Sequence, residues 1–207
     1  MKVICTVILL VLSLQSEDKW LVLFDGTDLN QWQKSTGNWQ VDKNETLLIQ
    51  PRKGESGWER YSSYLYTKKQ FSDFTIEFEY SYPKGGNSGL YFRVADMKDA
   101  TKSGMEVQIL DSLNKKGKLS HHDHGGVIKT VAPSKNMSKP AGYWFKAQLS
   151  LKGRHILYIL DGEKIIDHDF SKNPNTGKKP LKGYIALQDH GYGNDVRFRN
   201  IRIKEIK

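Results

Sequence analysis

Short stretches of alternating apolar and polar residues recur along this chain, separated by glycine, asparagine, aspartate and proline. Such alternation places successive side chains on opposite faces of a β-strand, and helical periodicity is nearly absent. Many short strands at this spacing predict a single all-β domain, either an antiparallel sandwich or a barrel. The clearest strands are predicted at 47–49, 64–66, 74–80, 143–151, 154–160, 163–169, 184–187 and 196–203, and short turns join 143–169 into a meander.

The strand predicted at 104–111 contains two acids and an amide among apolar residues. Alternation gives it one core-facing side and one polar side, on which Glu106 and Gln108 are neighbours. Glutamate and glutamine are poor strand formers, so the polar side indicates either a sugar-binding or catalytic surface or a solvated outer face. Two segments without strand pattern, 95–103 and 112–141, adjoin strands with such polar sides. Because long loops are usually functional or disordered, we expect these two to wall a cleft.

The spacing of the polar residues is similar to the E-x-D-x-x-E strand of retaining glucanases, in which two carboxylates act together. Here the middle acid is replaced by Gln108. Asp111 lies at an odd offset from Glu106, so without a bulge it points to the other face, and it is equally suited to be a turn residue. The pattern therefore disfavours ordinary glycoside hydrolysis.

The composition and the N-terminal residues indicate which kinds of partner and which cellular compartment to expect. The 207 residues have a formal charge of +9, but the lysines are scattered and no nucleic-acid motif is present, which predicts a solvated basic surface and no nucleic-acid partner. Residues 1–16 have the basic start, apolar run and small residues of a secretory signal, and the run is too short for a membrane anchor. The only cysteine, Cys5, lies within it. We expect a periplasmic or secreted domain at 17–207, without disulfides or a stable membrane anchor.

Five segments in order resemble the 3-keto-disaccharide hydrolase family, long known as domain of unknown function 1080. They are FDGTDL at 24–29, NSGLYFR at 87–93, GMEVQILD at 104–111, QDHG at 188–191 and FRNIRIK at 198–204. The resemblance extends from Trp20 to the C-terminus and implies a concanavalin-like jelly-roll sandwich of two antiparallel sheets that acts on 3-keto-glycosides. One departure is AGYWF at 141–145, where family members often have Gly-Glu-Trp-Asn, and it bears on substrate range more than on fold.

A 3-keto sugar has an acidic hydrogen at C2, because the neighbouring ketone stabilises the enolate. Its cleavage needs a base, a donor to the ketone oxygen and an acid for the leaving group, but no carboxylate nucleophile. Glu106, His190 and Arg93 are the predicted catalytic residues of these types, with Arg93 on the same face as Tyr91 and paired with Glu106. The sequence leaves open whether cleavage ends in hydrolysis or at the unsaturated sugar.

The remaining predicted contacts concern the carbohydrate substrate. The substrate-binding residues are predicted to be Asn87, Tyr91, Gln108, Asp111, Gln188 and Trp58. The alternative function is a non-catalytic carbohydrate-binding sandwich, in which Trp58 and Tyr91 stack on sugar rings. Trp32, Trp39 and Trp144 are also candidates for stacking, although a buried position is the default for a tryptophan.

The sequence His121-His122-Asp123-His124 is similar to a metal cluster in composition only. Adjacent residues on one loop seldom all reach one ion, and the usual spacing between ligands is lacking, so a solvated loop is predicted. No metal ligand and no cofactor are therefore assigned, while a divalent metal joined by one of these histidines and Glu106 or His190 stays compatible with the pattern. The oligomeric state is left open.

Overall fold

The structure is a computed structural model that describes residues 19–50, 52–55, 63–191 and 196–206. The predicted signal segment and Trp58 lie outside the described residues. Among those described, no helix has the length and apolar character needed to cross a membrane. The elements are β1 (Leu21–Phe24), β2 (Trp39–Val41), β3 (Leu47–Ile49), β4 (Leu65–Phe71), β5 (Phe74–Ser81), β6 (Asn87–Val94), α1 (Ala100–Ser103), β7 (Met105–Leu110), β8 (Trp144–Lys152), β9 (His155–Leu160), β10 (Glu163–Asp169), β11 (Gly183–Leu187) and β12 (Arg197–Glu205).

The strands form two antiparallel sheets. The eight-stranded sheet has the order β10-β9-β8-β5-β12-β3-β2, with β1 paired to β12, and the four-stranded sheet has the order β4-β11-β6-β7. A single buried cluster contains side chains from both sheets, so the sheets pack face to face. The predicted all-β sandwich is confirmed over the barrel, and the predicted meander is present as β8, β9 and β10.

Alternation along each strand determines which side chains face the core and which face outward. On β5, Phe74, Ile76, Phe78 and Tyr80 all point into the core, as their period of two predicts. On β7, Met105, Val107 and Ile109 are buried against them, which leaves the intervening residues on the outer face of the four-stranded sheet. The polar side predicted for 104–111 is therefore this outer face.

Arg93 does not face the same side as Tyr91, contrary to the sequence prediction. It has a φ of 52°, and the register between β6 and β11 shifts beside it, so a bulge breaks the alternation. The guanidinium is 1% exposed and donates to Ser72 O at 2.9 Å, to Gly153 O at 2.7 Å and to Asp73 Oδ1 at 2.9 Å. Its acidic partner is thus Asp73 and not Glu106, and it joins two turns at one end of the sandwich.

Replacement of Arg93 by Met is expected to lower the free energy of unfolding by about 2–4 kcal/mol, because it leaves a carboxylate and two carbonyls without their buried donor. Turnover per folded molecule should not change. Urea unfolding and initial rates corrected for the folded fraction measure both quantities. Arg52→Met is the matched control, since Arg52 forms an exposed pair with Glu55 that is worth little. An Arg93→Met protein that is fully stable but inactive would restore Arg93 to the catalytic residues.

Candidate active site

A pocket of about 340 Å³ lies on the outer face of the four-stranded sheet. Strands β6 and β7 form its floor, and the segment after β11 closes one side. The structure brings six of the predicted site residues to this pocket: Asn87, Tyr91, Glu106, Gln108, Gln188 and His190. Arg93 and Asp111 are not among its lining residues.

Glu106 is the carboxyl group of the pocket floor. It is 8% exposed, and burial raises the pKa of its carboxyl to about 7. The Tyr91 hydroxyl, on the paired residue of β6, donates a hydrogen bond to the carboxylate and offsets part of that rise. At neutral pH the group therefore exchanges readily between its protonated and ionised forms, which suits proton transfer.

Gly89 makes room for this carboxyl group. It lies on β6 opposite Gln108, and a Cβ at this position would be 2.2 Å from Glu106 Oε1. Only a residue without a side chain allows Glu106 to lie against β6. Gly89 was not predicted as a site residue from the sequence, although a glycine inside a strand pattern is a known sign of close approach.

Amide groups surround the carboxyl group. In the orientation that satisfies both ends of its amide, Gln108 Nε2 is 3.3 Å from Glu106 Oε1 and 3.3 Å from Ser88 O. Gln188 Nε2 donates to the Tyr91 hydroxyl at 3.4 Å. Among the described residues, no group donates to the buried oxygens Asn87 Oδ1 and Gln188 Oε1. Buried acceptors are normally paired, so the pocket is suited to a ligand that brings its own hydroxyl donors.

His190 lines the pocket beyond the end of β11 and is half-buried. Burial lowers the pKa of its imidazole, and the neighbouring Asp189 partly opposes this effect. The Asp189 carboxylate accepts a hydrogen bond from Gly191 N at 2.9 Å, and Gly191 has a φ of 79°, so a tight turn holds the segment. At neutral pH the imidazole is uncharged and can donate through only one ring nitrogen.

One pocket wall comes from the long loop, as predicted. Its segment 125–128 runs beside β7 and exchanges three backbone hydrogen bonds of 2.8–3.0 Å with Glu106 and Gln108. This pairing covers the edge of the sheet and brings Lys129 and His122 to the pocket. Lys129 has a φ of 58°, and its N–H donates to the ring of the neighbouring His121 at 3.0 Å.

The other predicted loop, 95–103, also contributes a wall, through Thr101 of α1. The Lys179 ammonium lies against this wall and donates to the carbonyls of Thr101, Lys102 and Gly104. Burial lowers the pKa of Lys179. Neither lysine of the pocket was predicted from the sequence, since nothing in the local pattern sets them apart from the other lysines.

The histidine-rich loop is not simply solvated, and this prediction was wrong for its second half. His124 is fully buried, its Nε2 lies 3.0 Å from the Tyr80 hydroxyl, and its Nδ1 accepts from Leu110 N at 3.3 Å. Burial lowers the pKa of His124 to about 4. The buried Asp123 accepts from the amide and hydroxyl of Ser120. Across the described part of the chain, no three histidine, cysteine or acidic side chains form a group that could hold a metal ion.

The structure corrects the predicted substrate contact of Asp111 and the stacking role considered for Tyr91. Asp111 closes a turn, because its Oδ2 accepts from Gly85 N at 2.9 Å and its Oδ1 accepts from Leu113 N at 3.3 Å. Tyr91 reaches the pocket, but its ring is only 2% exposed and packs edge-on against Tyr64 at 5.1 Å. It therefore acts through its hydroxyl group and does not present a ring face for stacking. The buried position expected by default for a tryptophan is confirmed for Trp32 and Trp39.

Fold and pocket together define the class: a concanavalin-like β-sandwich with a buried carboxyl group in a polar pocket on one sheet. The chain belongs to the family described as 3-keto-α-glucoside-1,2-lyase-like domains, whose model matches residues 19–204. This confirms the resemblance seen in the sequence. The chain is 24% identical to a 3-keto-disaccharide hydrolase of Bacteroides thetaiotaomicron, over 91% of this chain and 79% of that protein.

Solved structures share the fold. A Parabacteroides distasonis protein, proposed to be a glycosyl hydrolase, matches with a TM-score of 0.76 at 23% identity, covering 91% of this chain and 100% of the other. The carbohydrate-binding module CBM66 of Bacillus subtilis matches with a TM-score of 0.57 at 16% identity, covering 84% of this chain and 96% of the module. At these identities the likeness concerns architecture alone.

Proposed function

We propose that this protein is a carbohydrate-active enzyme that cleaves 3-keto-glycosides, with Glu106 as the base that removes the C2 proton. The observation that supports this most is a buried carboxyl group whose pKa is about 7, in a pocket with two buried acceptors that lack protein donors. A sugar supplies hydroxyl donors for Asn87 and Gln188, and a base of this pKa is matched to neutral pH. The family and the Bacteroides relative point to the same chemistry.

In the proposed reaction the Glu106 carboxylate takes the proton from C2, and the electron pair of that C–H bond forms the enolate of the C3 ketone. The enolate then collapses, so that the C1–C2 double bond forms and the C1–O bond breaks. The departing oxygen receives a proton, for which the newly protonated Glu106 is a suitable donor. Addition of water across the double bond completes the hydrolysis.

The enolate oxygen needs a donor, and Arg93 cannot supply it from its position in the core. Lys129 is our choice for this role, because it lies at the pocket wall and is exposed. Lys179 is less suitable, since its ammonium already donates to three carbonyls. His190, uncharged at neutral pH, can donate one hydrogen bond to the ketone or to the leaving group.

The function is tested with pairs of glycosides that differ only in a hydroxyl or a ketone at C3. We expect turnover of the 3-keto member and none of its partner, because only the ketone makes the C2 hydrogen acidic. Substrate deuterated at C2 should react more slowly where proton removal limits the rate, and the unsaturated intermediate should be trapped in single turnovers. Equal cleavage of both members of a pair would show displacement at C1 and overturn the proposal.

A non-catalytic carbohydrate-binding module is the second candidate, and it uses the same pocket. The unpaired acceptors on Asn87 and Gln188 serve binding as well as catalysis. Calorimetry on the same glycoside pairs separates the two candidates. Binding of either sugar without turnover of the 3-keto member would establish the binding module.

A further inference from the structure

A groove of about 570 Å³ lies on the outer face of the eight-stranded sheet, on the opposite side of the sandwich from Glu106. Side chains from β5, β8 and β12 and the end of β1 line it. It is larger than the Glu106 pocket, and none of the residues discussed for catalysis takes part in it.

Carboxylates in the groove are held by guanidinium and amide groups. Glu79 accepts from Arg199 Nε at 2.8 Å and from Asn200 Nδ2 at 3.1 Å. Glu77 pairs with Arg202, whose Nε and Nη2 lie 2.8 Å and 2.6 Å from Glu77 Oε2. Such pairing on a surface contributes little stability, but it fixes the side chains before any ligand arrives.

A bulge in β12 explains why both arginines reach this face. Arg199 is opposite Glu79 and Arg202 is opposite Glu77, so three steps on β12 match two on β5. Without the bulge, residues three apart would point to opposite faces of the sheet. Asn200, at the bulge, has a φ of 51°, a conformation that asparagine tolerates better than most residues.

Aromatic rings flank the charged groups. The guanidinium of Arg199 lies 4.0 Å from the ring centre of Trp144, and that of Arg202 lies 4.5 Å from the ring centre of Trp20. Both tryptophans are only partly buried. Aromatic, cationic and anionic groups thus lie side by side across this face of the sheet. Stacking of each guanidinium on a tryptophan ring helps to hold the arginine side chains in place.

The sequence segments behind the family resemblance divide between the two sites. NSGLYFR, GMEVQILD and QDHG build the Glu106 pocket. FDGTDL and FRNIRIK, which the proposed reaction does not use, both contribute lining residues to the groove, namely Phe24 and Asp25 from the first and Asn200, Ile201 and Arg202 from the second.

The charge of the groove selects the kind of ligand. Asp25, Glu77 and Glu79 face it together with Lys146 and Arg202, so both signs are present. An anionic or cationic polymer would meet like charges there, whereas a neutral chain would not. Carboxylate and guanidinium groups each present two neighbouring polar atoms, which match adjacent hydroxyl groups on a sugar ring.

We propose that this groove is a second carbohydrate-binding surface, which takes a neutral oligosaccharide chain and does not require a keto group. It is independent of the reaction at Glu106 and would hold a longer glycan on the other side of the domain. The occupant is a carbohydrate in preference to a second copy of this chain, because the groove places paired polar groups, suited to hydroxyl groups, beside apolar side chains such as Ile159, suited to the faces of sugar rings.

Affinity electrophoresis through gels that contain dextran, laminarin or hydroxyethyl cellulose tests this proposal. We expect at least one polymer to retard the wild type, and expect Glu79→Gln and Arg202→Gln each to weaken binding at least about tenfold, the worth of one charge-assisted hydrogen bond. Glu106→Gln should be retarded like the wild type, which keeps this test separate from the proposed catalysis. Asp167→Asn, in the exposed pair with Lys164 on β10, is the control.

Mobility is compared with gels that lack polymer, so that the change of charge does not enter the result. Circular dichroism shows that each variant is folded, and Arg202→Gln alters a half-exposed side chain whose ion pair contributes little to stability. Lack of retardation by every polymer, loss of binding in Glu106→Gln, or unchanged binding in both groove variants would overturn the proposal. Light scattering that shows a dimer broken by Arg202→Gln would assign the groove to self-association instead.

Discussion

Replacement of Glu106 by Gln is expected to lower the turnover of a 3-keto-glycoside about 10²–10⁴-fold, the usual contribution of a positioned general base. The amide keeps the shape of the carboxyl group and its place against Gly89, but it cannot take a proton. The Michaelis constant should change much less, because Asn87 and Gln188 still face the sugar. Initial rates at saturating substrate, across pH 5 to 9, measure this effect.

The wild-type rate should rise with pH through the Glu106 pKa of about 7, since only the ionised carboxyl accepts the proton. The residual rate of Glu106→Gln should lack this dependence. An unchanged rate in the variant would mean that another group removes the proton, and His190 would then be the first to replace. Lys129, at the pocket wall, would be the next residue to replace, because it lines the same pocket.

The same variant provides its own folding control. The pKa of Glu106 is raised from 4.5 to about 7 in the folded protein, so its favourable contribution to stability is complete below pH 4.5 and is lost as the pH rises through 7. Glu106→Gln avoids the buried charge. It should therefore be more stable than the wild type by roughly 3 kcal/mol at pH 8 and by less than about 1 kcal/mol at pH 5. A variant that is inactive yet more stable at pH 8 excludes misfolding as the cause of inactivity.

Replacement of Gly89 by Ala is expected to reduce turnover about 10²-fold, although it changes the chemistry of no group that reacts. The new methyl carbon would lie 2.2 Å from Glu106 Oε1, so the carboxyl group must move away from β6. A displacement of about 1 Å at a reacting group is enough for a loss of this size. Measurements of the Michaelis constant and of the pH dependence of the rate in Gly89→Ala show whether the loss of turnover arises at Glu106.

A double-mutant cycle separates this mechanism from general damage to the sheet. If Gly89→Ala acts by displacing the carboxyl group, it should lower the rate of Glu106→Gln little further, because the displaced group is already inactive. Additive losses in the double mutant would instead point to a wider disturbance of β6. Denaturant midpoints of all four proteins show how much stability each change costs.

The periodicity of apolar and polar residues predicted which faces of several strands point into the core and which point outward. The core face of β5 and the two faces of β7 follow directly from alternation, because a strand without a bulge has a strict period of two. That rule placed Glu106 and Gln108 together on an outer face, and the structure has them there. Strands β1 and β2, with four and three residues, were not among the predicted strands.

The errors came from features that alternation does not contain. Arg93 is turned into the core by a bulge at a φ of 52°, where it meets turns distant in the chain. His124 is buried because the long loop folds back on Tyr80 and Leu110. Neither the bulge nor the return of the loop has a local signature in the sequence.

The sequence by itself determined the class of fold, the family and the polar face of β7, because these depend on residue types at short, regular spacing. Only the tertiary structure decided the pKa of Glu106, since burial comes from β6 and the loop packed beside it. It also decided that Gly89 leaves space for the carboxyl group and that Lys129 lies at the pocket wall. Such properties depend on contacts between segments far apart in the chain, and the residue pattern along one strand does not predict those contacts.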